Sequence, residues 1–100
     1  MILVRDVFEI EFGRAREAVE AWREGLALAE EISEGKLKGR LLTDLVGPYY
    51  TLVVEFPFPS LAAWEESAKK LMGDPAWRTW YPKVVRLAHG GHREIFNIVE

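Results

Sequence analysis

The chain has no cysteine, which excludes a disulfide framework and a thiol nucleophile. It has no apolar run approaching the length of a membrane span. Charge of one sign is scarce too: the formal net charge is −3 and both signs are mixed along the chain. That pattern lacks the concentrated basic footprint of a nucleic-acid binder and does not suit an anionic membrane surface. There is no G-x-G-x-x-G and no phosphate loop. No serine sits in a nucleophile elbow, since Ser60 reads as a helix cap and Ser33 and Ser67 fall at or within helices. Hydrolase and nucleotide-dependent chemistry are therefore disfavoured. Glutamine is absent, Asn97 is the only asparagine and glutamate is abundant, a usage that resembles the proteins of heat-adapted organisms. Charge arrives at Arg5 and Asp6, too early for the apolar stretch of a signal peptide, so a cytoplasmic location is the expectation.

The 100 residues fit one domain, 1–100, with one core. Forty-nine per cent are hydrophobic and 12% aromatic, enough apolar area to drive folding. Residues 2–12 alternate, with Ile2, Val4, Phe8, Ile10 and Phe12 on one face, interrupted by Asp6, and Arg5, Val7, Glu9 and Glu11 on the other. A period of two predicts a strand. From Arg14 to Ser33 the apolar residues Ala15, Ala18, Val19, Trp22, Leu26, Ala29 and Ile32 step by three or four, predicting a helix that stops at Gly35. Residues 38–46 and 49–58 read as strands joined by Gly47-Pro48, the second of them apolar on both faces and hence central.

A second helix follows, capped by Ser60, closed by Gly73 and carrying a buried stripe of Leu61, Trp64, Ala68, Leu71 and Met72. Asp74-Pro75 restarts a helix, and Pro82 predicts that residues 75–88 split into two short pieces. Gly90-Gly91 releases the chain into a last strand, His92 to Val99.

The order is βαββαβ. Right-handed crossovers put the helices on one face of a four-stranded antiparallel sheet whose central neighbours are the first and third strands, a ferredoxin-like α+β arrangement. The face away from the helices would carry Leu3, Val7, Tyr49, Thr51, Val53 and one apolar side of the last strand. A patch of that kind exceeds what a monomer usually exposes, so a second copy, sheet against sheet, is the expected partner.

The order of elements, Arg5 in the first strand, Gly47-Pro48 before an apolar third strand, Phe58 followed by Leu61 and Trp64-Glu65, and above all Asp74-Pro75-Ala76-Trp77 resemble the NIPSNAP-like branch of the dimeric α/β-barrel superfamily. The resemblance spans nearly the whole chain. It implies a ferredoxin-like homodimer with a central cavity, in a superfamily that includes cofactor-free monooxygenases, haem-using enzymes, ligand-sensing modules and proteins of unknown role.

For the chemistry, Arg5, Glu9 and Glu55 fall on the partner-facing side of the sheet, where a buried charge must be paired or serve something. Arg5 either pairs with Glu55 or Glu9 or orients an anionic or carbonyl-bearing ligand. His89 and His92 form an H-x-x-H spacing near Glu94, but an extended backbone points them to opposite faces, so two polar residues around a strand entrance are expected rather than a metal site. Either histidine has the chemistry of a haem ligand, yet nothing else in the sequence asks for haem, and no cofactor is expected. Trp77, Trp80 and Tyr81 read as core or interface anchors before pocket-lining residues. Two functions follow: a dimeric module holding a small, mostly apolar ligand at Arg5, Tyr49, Thr51, Glu55 and His92, or a cofactor-independent oxygenase acting on an aromatic substrate with His92 or Glu55 as its proton-transfer group.

Overall fold

A computed structural model describes residues 1–100. The elements run β1 (Ile2–Ile10), α1 (Ala15–Ile32), β2 (Arg40–Thr43), β3 (Thr51–Phe58), α2 (Leu61–Met72), α3 (Pro75–Val85) and β4 (Ala88–Asn97). The strands form one sheet in the order β2-β3-β1-β4 with every pair antiparallel, so β1 and β3 are the central neighbours. The alternation read from the sequence decides which side chains meet the helices. Val4 and Ile10 of β1 and Leu52 and Val54 of β3 are buried together with Ala18, Trp22 and Ala29 of α1. Asp6, the charge that interrupts this face, bonds Arg93 directly across β4 at 2.6 Å, and the Arg93 guanidinium lies 5.1 Å above the Trp64 ring. An ion pair roofed by an aromatic ring makes that charge tolerable there.

The helix boundaries have local causes. Glu34 and Gly35 take positive φ of 57° and 84°, and the Gly35 N–H reaches back to the Glu30 carbonyl at 2.7 Å, closing α1. The Ser60 hydroxyl accepts from Ala63 N–H at 3.2 Å and the Asp74 carboxylate from Ala76 N–H at 2.9 Å, so both caps read from the sequence form. The stripe on α2 is shallower than its pattern predicts. No residue of that helix is fully buried, Leu61 and Met72 are 52% and 68% exposed, and only Trp64 and Leu71 reach the second core cluster.

Four expectations about element boundaries need correction. Pro82 does not split its helix: α3 runs unbroken from Pro75 to Val85. Pro82 lies in the last turns, where it removes one hydrogen bond, and the helix is anchored on either side by buried Trp80 and Val84. The last strand begins at Ala88, so Gly90 and Gly91 lie inside it, beside a register shift between Glu9 and Ile10. Their role is close approach, since a Cβ on Gly91 would stand 2.7 Å from the Val7 carbonyl oxygen. The third correction is to β2 and β3, which pair over four residues of β2, Arg40–Thr43, rather than 38–46 with 49–58. The Asp44 side chain accepts from Thr51 N–H at 2.9 Å and so caps the ladder, leaving Leu45, Val46 and Tyr49 exposed in the connection. Similarly β1 ends at Ile10, and Phe12 lies exposed with its ring 5.6 Å from that of Tyr50.

Candidate functional site on the open sheet face

Odd-numbered residues of β1 and β3 face away from the helices, and the register aligns them in rungs. One rung is wholly charged: Arg40 of β2 stands opposite Glu55 of β3, Glu55 opposite Arg5 of β1, and Arg5 opposite Glu94 of β4. The sign alternates strand by strand, as cross-strand pairs require. Arg5 donates from Nε to Glu55 Oε2 at 3.1 Å and from Nη1 to Glu94 Oε1 at 3.0 Å. Arg40 donates from Nε to Glu55 Oε1 at 2.8 Å, and its Nη2 bonds the same oxygen. His92 Nε2 lies 3.1 Å from Glu94 Oε2 and ends the chain of bonds.

Apolar rungs flank this one. On one side Leu42, Val53 and Val7 lead to His92; on the other Pro57 and Leu3 lead to Phe96. Val53 is buried, while Leu42 and Phe96 are 37% and 49% exposed. Glu55 is only 3% exposed although no helix covers it, because the two guanidinium groups lie over its carboxylate. A carboxylate so enclosed is costly without partners, and both of its oxygens have them. The rung thus gives a rigid, charge-neutralised polar stripe between two apolar ones, with an imidazole–carboxylate pair open at its β4 end.

Of the residues expected at the site, Arg5, Glu55 and His92 share this network. Tyr49 and Thr51 do not: Tyr49 is 71% exposed in the connection before β3, and Thr51 stands opposite Glu9 at the end of the strand, its N–H held by Asp44. Arg5 pairs with Glu55, one of the two acids expected, and with Glu94 rather than Glu9. The histidines go separate ways, His89 to Glu9 at 3.8 Å and His92 to Glu94. Sequence reasoning missed Arg40 as a partner and did not link Glu94 to Arg5. The available signal was parity: Glu94 shares a face with His92 and Phe96, and Arg40 with Leu42, but the face follows only once the register of each edge strand is known.

A four-stranded antiparallel sheet in the order β2-β3-β1-β4, helices on one side and a charged rung across the other, defines a ferredoxin-like α+β protein with an open sheet face. The NIPSNAP family model matches residues 5–98, and the chain belongs to the NIPSNAP family. A NIPSNAP family protein from Agrobacterium tumefaciens is similar in structure with a TM-score of 0.88 at 23% identity, over 99% of this chain and 86% of that one. An uncharacterized NIPSNAP domain protein from Burkholderia xenovorans also gives 0.88, at 16% identity, over 99% and 95%. A structure of an antibiotic biosynthesis monooxygenase gives 0.73 at 16% identity over the full length of both chains. No curated protein sequence matches the chain. No helix is long and apolar enough to cross a membrane.

Proposed function

We propose that this chain acts as a homodimer whose open sheet faces enclose a cavity holding a small, mostly apolar ligand. The observation that carries the reading is the rung Arg40–Glu55–Arg5–Glu94–His92 between two apolar stripes. A fixed polar line crossing an apolar floor is the composition of a small-molecule site, where a few placed polar groups orient a ligand held mainly by apolar contact. A bare sheet face of this kind also favours association with a like face. Titration with 2-naphthol, followed by amide shifts, tests the reading. Shifts centred on Leu3, Val7 and Val53 support it; shifts confined to the helical side contradict it.

One observation favours a second reading, a cofactor-independent oxygenase acting on an aromatic substrate. His92 stands against Glu94 as a paired imidazole and carboxylate at the edge of the face, where it can accept a proton from an activated ring position. In such a reaction a methylene becomes a carbonyl, one atom of dioxygen entering it and the other leaving as water with both hydrogens. Oxygen uptake with anthrone, lost in His92→Ala, would select this reading over passive binding.

A further inference from the structure

The geometry points to a carboxylate-bearing ligand, an apolar acid whose head group is received by Arg40 and Arg5. The inference rests on the open face being a ligand cavity and adds the chemistry of its polar contact. Hydrogen-bond supply on the rung is one-sided. Glu55 accepts at Oε2 from Arg5 and at Oε1 from two nitrogens of Arg40, and at 3% exposure it offers nothing to a ligand. Glu94 has one oxygen on Arg5 and the other on His92. Every carboxylate oxygen of these two acids already has a partner.

The guanidinium groups are not spent. Each carries five N–H donors in a planar fork. Arg5 places Nε on Glu55 and Nη1 on Glu94, leaving Nη2 without a protein acceptor, and 30% of its side chain is exposed. Arg40 directs both of its bonds to one oxygen of Glu55, which leaves Nη1 unused on a side chain 74% exposed at the sheet edge. Two forks with unused N–H groups, one on either side of Glu55 in a single rung, match a carboxylate, which takes bidentate donors better than any neutral head group does. The flanking Val7, Val53, Leu3 and Phe96 set the apolar body of the acid. Glu55 acts as the positioning residue that holds both forks.

Binding of 2-naphthoate and of its uncharged isostere 2-naphthamide to the full chain, by calorimetry with sedimentation of the same sample, tests this. The acid is expected to bind roughly ten- to a hundredfold tighter than the amide, the range of a charge-assisted hydrogen bond. Arg40→Gln, whose amide keeps one N–H donor for Glu55, should remove most of that preference by weakening acid binding far more than amide binding. Arg40→Lys, which keeps the charge but loses the fork, should fall between. Equal affinity for acid and amide overturns the acid proposal while leaving the cavity standing. Binding of neither overturns the cavity, and this inference with it.

Discussion

Gly25 of α1 lies directly against the Trp80 ring of α3, and Gly25→Ala sets two effects of opposite sign against each other. Helix propensity alone favours alanine by about 1 kcal/mol in a helix interior. The packing opposes it: a Cβ at Gly25 would lie 2.1 Å from Cζ2 and 2.4 Å from Cη2 of Trp80, where carbon–carbon contact needs about 3.5–4.0 Å. Trp80 has little room to yield. It is 2% exposed, its centroid lies 4.9 Å from Trp22 and 4.6 Å from Trp77, and its Nε1 donates to the Ala21 carbonyl at 2.8 Å. Overpacking of this kind costs about 1–3 kcal/mol, and tearing the indole from Ala21 adds about 1 kcal/mol. After the propensity gain the net destabilisation is about 1–3 kcal/mol, a fall in Tm of roughly 5–20 °C for a chain of this length. The assay is thermal or guanidinium denaturation followed by tryptophan fluorescence at fixed protein concentration, because any self-association makes Tm concentration-dependent. A Gly25→Ala protein as stable as the parent, or more so, would refute the packing of Trp80 against α1.

Three further outcomes follow from the same physics. Asp74→Ala should lower stability by about 1 kcal/mol through loss of the bond to Ala76 N–H, seen as a lower denaturation midpoint with an unchanged slope. Gly91→Ala should destabilise more than Gly90→Ala in the same measurement, because the new methyl meets the Val7 backbone oxygen at 2.7 Å in the first case and only the movable Glu9 carboxylate in the second. Arg5→Met should destabilise by about 1–3 kcal/mol by leaving Glu55 held by Arg40 alone, and Arg5→Met with Glu55→Met should recover part of that loss; purely additive effects would show that the two side chains are not coupled.

How much of this was legible in the sequence depended on whether the signal was local. The alternation of Ile2, Val4 and Ile10 and the three-four stepping of Ala18, Trp22 and Ala29 named their buried faces directly, because each element reports its own period. Ser60 and Asp74 were equally local, each capping N–H groups within three residues of itself. What was not legible lay between elements. Gly90 and Gly91 look like a turn until β1 is placed beside them, and Leu61 and Met72 look buried until α2 is seen lying at the margin of the core. The site shows the same division. Arg5 and Glu55 were assigned by parity on central strands, whereas Arg40 joined them only through the short pairing of β2, which Asp44 ends by a side-chain bond no periodicity reports.

The central claim, that two open sheet faces enclose a shared cavity, is tested most directly by the mass of the particle in solution. Light scattering at micromolar concentration should give about twice the chain mass of 11.5 kDa. A single species at 11.5 kDa would contradict the enclosed cavity and leave the charged rung facing bulk water.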